Sequence, residues 1–386
     1  MTENHFHTPF GDYRLQRLPA RRREPLRAWD AADEYLLRQL AAQGGPAADS
    51  RILILNDSFG ALATALHAFP LWAASDSVLG QEATRLNYRA NGLAADKLRL
   101  LTSLEMPRGS PGLVIIRAPK TLALLEYQLH RLRPLLSPAT RILVAGMMKA
   151  LPAAVWKLLE SRLGPVQTFP GRKKAKLMEV RFAPGLVTPP NPYPGSYRLE
   201  NTPYRIINHA NVFSREKLDI GTRFFLEHLP RRQGEERILD LGCGNGVLAL
   251  MTLHHNPEAR VYCVDESHMA VASARATLEA AFGPEHGAEF YAAWNLAPFS
   301  SGSMDRVLCN PPFHQQQVVG DHIARNMFRD ARRVLREGGE LWVVGNRHLG
   351  YHKTLKRLFG NAELIASNPK FVALRAVRLS GAKGSR

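Results

Sequence analysis

At 386 residues the chain is long enough for two domains, and 45% hydrophobic with 22% charged residues is the balance of an ordinary globular protein. Fifty-one Lys and Arg against 34 Asp and Glu leave a net charge of +17, which excludes an acidic solvating protein and makes a polyanion the expected partner. No apolar run of about 18 residues is present and the N-terminus lacks an apolar signal core, so neither a membrane span nor a secretory signal is expected. Three cysteines (Cys243, Cys263, Cys309), none in a CxxC pair, fit a reduced, cytoplasmic compartment.

In chain order, residues 1–182 read as one αβ domain, 183–197 as a linker and 198–386 as a second αβ domain. The linker is set by five prolines between Ala183 and Gly195, which fix φ and remove donors. Residues 1–195 carry 26 basic and 15 acidic residues, a net of +11; residues 196–386 carry 25 and 19, a net of +6. Both halves alternate short apolar runs with helical stretches, the pattern of βαβ units and parallel sheets. In the second half the expected strands are Arg237–Leu241, Arg260–Val264, Arg306–Cys309 and Glu340–Val344. The expected helices are Thr222–Leu229, Val247–Leu253, Met269–Ala281 and His322–Leu335, the last stopped by Gly338-Gly339.

The halves also resemble each other. Ile52–Leu62 aligns without a gap on Ile238–Leu248, Val114–Lys120 on Val307–Phe313, and Arg141–Gly146 on Glu340–Gly345. Agreement in order and spacing points to an internal duplication, and so to two tandem Rossmann-like domains.

Asp240-Leu-Gly-Cys-Gly-Asn-Gly246 follows a strand and opens a helix. Gly242, Gly244 and Gly246 permit a sharp turn and close backbone approach to a ligand. Asp265, at the end of the next strand, can accept from ribose hydroxyls. Val247 stands where a dinucleotide fingerprint needs its third glycine, and an acid directly before the loop suits a cationic amino-acid end. S-adenosylmethionine fits that description, though a glycine loop alone is also compatible with a dinucleotide or with tight packing. Asn310-Pro-Pro-Phe313 carries more weight. The prolines fix the backbone so that the Asn310 side-chain oxygen and the Pro311 carbonyl face one spot, matching the two hydrogens of an exocyclic amino group. Pro312 completes the rigid turn, and Phe313 offers a plane for a stacked base.

The first half has lost these features: Asn56 and Ser58 replace glycines, Ile54 replaces the acid, and Arg117-Ala-Pro-Lys120 replaces Asn-Pro-Pro-Phe. It is expected to be catalytically dead. Its basic residues Arg21, Arg22, Arg23, Arg131, Arg133, Arg172, Lys173, Lys174 and Lys176 favour RNA docking. His209 is a candidate for the cofactor entrance, Asp219 and Gly221 for flanking the methionine end, and Asn295 beside Trp294 for the adenine edge. The histidines show no metal spacing, and no metal is expected.

With these residues the chain resembles the bacterial ribosomal RNA guanine-N2 methyltransferases, and more the branch acting on 23S rRNA than the related 16S rRNA branch. The resemblance runs from Ala28–Leu36, Ile52–Gly60 and Pro119–Glu126 to His209–Arg215, Leu218–Gly221, Asp265–Ser267, Met269–Ser273 and Asn310–Gln316. It implies a class I methyltransferase fold with a degenerate N-terminal copy that helps hold RNA, and S-adenosylmethionine as methyl donor. The cofactor loop then falls on Asp240, Gly242, Gly244 and Gly246, the ribose acid on Asp265 and the amine clamp on Asn310, Pro311, Pro312 and Phe313. Phe213, within His209–Arg215, joins the cofactor-binding candidates; Asn295 departs from the acid common at the adenine edge. The implied substrate is an unpaired or flipped-out guanine of 23S rRNA, and the chain is expected to be monomeric. Protein glutamine is a rival substrate, since its amide offers the same two N–H bonds, as are the amines of DNA adenine and cytosine; a non-catalytic RNA-binding factor is the rival of another class.

Overall fold

The computed structural model describes residues 4–20, 24–312 and 317–380. Phe313 and Arg21, Arg22 and Arg23 lie outside them. The chain forms two compact units, Met1–Tyr193 and Pro194–Arg386, divided within the proline-rich stretch.

Each unit holds a seven-stranded sheet. In the second unit the strands are β1 (Arg237–Leu241), β2 (Arg260–Asp265), β3 (Ala288–Ala292), β4 (Met304–Cys309), β5 (Leu335–Asn346), β6 (Glu363–Ser367) and β7 (Phe371–Val377), in the spatial order 3-2-1-4-5-7-6. Helices α1 (Ile220–Leu226), α2 (Val247–His255), α3 (His268–Phe282), α4 (Gln317–Val334) and α5 (Tyr351–Phe359) complete it. The first unit repeats the same order with Ile52–Leu55, Leu71–Ser75, Leu98–Thr102, Leu113–Arg117, Arg141–Met147, Val166–Thr168 and Ala175–Val180. The duplication is therefore structural as well as sequential.

The sheets are mixed, where βαβ alternation pointed to parallel ones. β1 to β5 run parallel, but β7 is antiparallel to both β5 and β6. The physical reason is the short turn between β6 and β7. Asn368 Oδ1 accepts from the backbone N–H of Lys370 and Phe371 there, closing a hairpin where a crossover helix would be needed for a parallel pair. The fourth helix also stops earlier than its glycines imply. It ends at Val334, and Leu335 already pairs with Met304; the register resumes at Glu340 opposite Arg306, so residues 336–339 bulge out.

Apolar side chains on the two faces of the second sheet feed two separate cores. Leu308, Trp342, Val344 and Phe371 face α1, α2 and α3, while Val307, Cys309, Leu341 and Val343 face α4 and α5. This alternation puts Asn310, next in line after Cys309, on the α1 face at the carboxyl edge.

Gly246 (φ 81°) is the N-cap of α2, and a Cβ built there would lie 2.9 Å from the Ala274 Cα of α3. Its first-unit counterpart, Gly60 (φ 77°), is held the same way against the Thr84 Cα at 2.7 Å. A Cβ added at Gly244 (φ 54°) would meet nothing within 4 Å. Gly246 is thus required by helix packing, whereas at Gly244 only the positive φ favours glycine among the described residues. Gly246→Ala is predicted to cost about 2–4 kcal/mol through strain and backbone overlap, and Gly244→Ala about 1 kcal/mol. Thermal unfolding of the full chain should show the larger drop for Gly246→Ala.

Candidate functional site

The glycine loop is built by its own backbone. Gly242 and Cys243 donate their N–H groups to the Val264 carbonyl of β2 (2.8 and 3.1 Å), and the Gly244 N–H donates to Asp265 Oδ2 (3.0 Å). Asp265 Oδ1 accepts from the Ser267 N–H (2.9 Å), so the expected ribose acid lies against the loop at the start of α3. Asn245, which carries no motif in the sequence, donates to Asn208 Oδ1 (2.9 Å) and ties the loop to the hairpin of Gly195–Arg198 and Arg205–Asn208. Both asparagines are buried.

Asp240 lies under this loop with no solvent exposure. Oδ2 accepts from the Ala249 N–H (3.2 Å), while Oδ1 is buried without a hydrogen-bond partner among the described residues. Burial is the main cause that raises its carboxyl to about 7, with nearby Asp265 adding to it. An orphaned carboxylate oxygen is costly unless a ligand or water meets it, and a cationic group at the loop would do so.

Asn310 follows β4 on the neighbouring strand. Its Nδ2 donates to Thr222 Oγ1 (2.9 Å), and its Oδ1 is buried with no partner among the described residues. Thr222 Oγ1 in turn donates to Asp219 Oδ2 (3.3 Å), the carboxylate that caps α1 by accepting from the Thr222 N–H (2.8 Å). Asp219, expected to flank the methionine end, therefore serves α1 and, through Thr222, the amide of Asn310. Thr222 does not stand out in the sequence, because a threonine three residues after a cap carries no local signature. Pro311 is buried and Pro312 exposed.

The remaining candidates are more peripheral. Phe213 is exposed, and the side chain of Asn295 accepts from the Ala297 N–H (3.0 Å) beside a partly exposed Trp294. The backbone N–H of His209 donates to Ser273 of α3 (2.9 Å). Among the described residues no group of three or more His, Cys, Asp or Glu is placed to hold a metal.

In the first unit the corresponding positions are filled by the protein itself. Asp57 accepts from the N–H groups of Gly60, Ala61, Leu62 and Ala63 (2.9–3.1 Å), occupying the start of the helix. Arg117, where the second unit has Asn310, pairs with Asp30 (2.8 Å) and Asp33 (3.3 Å). Asn56 donates to the Arg117 carbonyl (3.0 Å) and to Gln128 (2.9 Å). Among its basic residues, Arg172 stands over Tyr35 and Lys176 over Trp156, flanking a tight turn in which Lys173 and Lys174 both have positive φ. Lys173 also lies 3.3 Å from Glu34, and Lys174 is exposed. Arg131 donates to the Leu104 carbonyl. Arg133 donates to the carbonyls of Arg162, Ala183, Pro184 and Leu186 at the entrance to the proline-rich stretch.

Residues 3–184 match the RLMG N-terminal domain and residues 203–375 the Methyltransferase small domain. A Stutzerimonas stutzeri protein named ribosomal RNA large subunit methyltransferase G is 51% identical over 96% of this chain and 98% of its own length. The chain belongs to the ribosomal RNA large subunit methyltransferase G family. Relatives of the same name in Pseudomonas aeruginosa (52% identical, covering 96% of this chain and 99% of theirs) and Streptomyces avermitilis (50%, 96% and 98%) extend it. Among solved structures, a T. thermophilus 16S rRNA N2 methyltransferase in complex with AdoMet and guanosine shares the fold over 97% of both chains, with a TM-score of 0.75 and 22% identity. The methyltransferase domain of this family member is its second unit, which holds both the glycine loop and Asn310.

The donor expected from the sequence, S-adenosylmethionine, carries an ammonium group, and Asp240 is the expected counter-charge, effective in its ionised form. Burial favours the neutral carboxyl, so affinity should rise with pH through about 7. Calorimetric titration is predicted to give about tenfold weaker donor binding at pH 5.5 than at pH 7.5. In Asp240→Asn the affinity should be low and flat across that range.

Proposed function

We propose that this chain transfers a methyl group from S-adenosylmethionine to the exocyclic N2 of a guanine in 23S rRNA, in the cytoplasm. The observation that carries the reading is Asn310: its nitrogen is held by Thr222 and its oxygen is buried, unpartnered and set at the carboxyl edge beside the glycine loop. The name carried by relatives about 50% identical over 96% of this chain supports large-subunit rRNA over the 16S reading. The net charge of +17 argues against protein glutamine.

S-adenosylmethionine, when bound, supplies the electrophilic methyl of a sulfonium. The residues fit it: orphaned Asp240 Oδ1 for its ammonium, the open face of Gly244 for close approach, and Asp265 for the ribose. Asn310 Oδ1 and the Pro311 carbonyl each accept one N–H of the guanine amine. The amine lone pair, otherwise conjugated into the ring, is thereby turned out of its plane. Charge that develops on N2 is stabilised by the same two dipoles, already fixed before the reaction. Orientation contributes most of the remainder, and no strong base is required. Phe313 supplies a stacking plane for the ring. Because N2 is paired inside a duplex, the guanine must be unpaired or flipped out. The first unit docks RNA, with Arg172, Lys173, Lys174 and Lys176 as the charged hairpin and Arg21, Arg22, Arg23 and Arg131 as further contacts. The chain acts as a monomer, without a metal.

Incubation with labelled donor and unmodified 23S rRNA should place the label in N2-methylguanosine on nucleoside analysis; label in protein would reverse the reading. Asn310→Ala is predicted to lower kcat by about 100–1000-fold with donor affinity intact. Thr222→Val should lower kcat about tenfold by freeing the amide to turn, and Thr222→Ser should restore it. Near-normal turnover in Asn310→Ala would remove the clamp from the mechanism.

A further inference from the structure

A second buried acceptor stands near the first. Asn346 ends β5, and its Oδ1 is buried without a hydrogen-bond partner among the described residues. Cys309 pairs with Val343, so Asn310 lies beside Val344, and Asn346 is two residues further along on the same face. Asn346 itself pairs with Phe371 of β7. The start of α1 rests on that ring: a Cβ at Gly221 would lie 3.0 Å from Phe371. Thr222, the next residue, holds Asn310. Asn346 also lines an open cleft of about 430 Å³ with Arg347, His348, Pro369 and Lys370.

Two such oxygens on one sheet face would be satisfied together by a ligand edge with two neighbouring donors. Guanine presents them, N1–H beside its N2 amino group. Adenine and cytosine each offer an amino group next to a ring-nitrogen acceptor, which would meet the second oxygen with repulsion. We infer that Asn346 Oδ1 accepts from guanine N1–H while Asn310 Oδ1 accepts from N2, which makes Asn346 the residue that selects guanine over other amino-bearing bases. The cationic side chains of Arg347 and Lys370 in the same cleft supply charge for the phosphates flanking that nucleotide. This inference rests on the guanine-N2 reading and adds to it a second, separable contact.

The test is calorimetric titration of the intact protein, saturated with S-adenosylhomocysteine, with guanosine and with 2,6-diaminopurine riboside, which keeps the N2 amine but has no N1–H. The unsubstituted protein should prefer guanosine by about 100-fold. Asn346→Ala should bring the two ligands within about threefold of each other, with S-adenosylhomocysteine affinity unchanged as the control for folding. Asn346→Asp, which retains an acceptor, should keep the preference. Equal binding of both nucleosides by the unsubstituted protein, an undiminished preference in Asn346→Ala, or no guanosine binding at all would overturn the inference. If rRNA incubated with labelled donor still yields N2-methylguanosine in those cases, only the role of Asn346 falls. If that product is absent, the underlying reading falls with it.

Discussion

A polar atom buried without a partner is costly, and the second unit keeps several such atoms at one edge of its sheet. Asp240 Oδ1 and Asn310 Oδ1 lie on β1 and just past β4, strands that the order 3-2-1-4-5-7-6 makes neighbours. Parallel pairing of β1 with β4 sends both carboxyl ends to the same edge. The glycine loop and the Asn310 segment are therefore adjacent because of topology, before any side chain is considered. Thr222 then decides which end of the Asn310 amide faces outward.

The duplicated first unit shows which parts of that arrangement belong to folding and which to chemistry. Gly60 survives in it because a Cβ would strike the Thr84 backbone. The positions matching Gly242 and Gly244 are Asn56 and Ser58. Asn56 retains the positive φ of its counterpart, a conformation asparagine tolerates better than most residues. Its side chain, with Asp57, Arg117, Asp30 and Asp33, satisfies groups within the first unit itself. The positions that carry the loop and Asn310 in the second unit are thus paired internally in the first. The hairpin carrying Arg172 to Lys176 leaves Lys174 exposed, so charge remains at the surface where the first site was filled in.

Much of this was legible in the sequence, for physical reasons that differ by element. The strands β1, β2 and β4 are apolar runs bounded by charged residues or glycines, so they were recognised almost to the residue. The glycine loop and Asn-Pro-Pro segment were visible because unusual backbone needs leave unusual residues. The antiparallel strands β6 and β7 were not, because Ser367-Asn368-Pro369 signals a turn without saying which way the chain returns. Thr222, Asn245 and Asn346 were also missed. Each is an ordinary polar residue whose meaning comes from a partner, or a missing partner, supplied by a distant segment. Arg133 reads as surface charge in the sequence, while in the structure its guanidinium lies among four backbone carbonyls.

The most direct test of the central claim is a crystal structure of the protein with S-adenosylhomocysteine and guanosine bound together. The purine N2 should lie within about 3 Å of Asn310 Oδ1, with Thr222 still holding the amide nitrogen and the nucleoside of the product lying over Gly244. An Asn310 oxygen that remains without a partner while guanosine sits elsewhere, or an amide rotated so that nitrogen faces the purine, would contradict it.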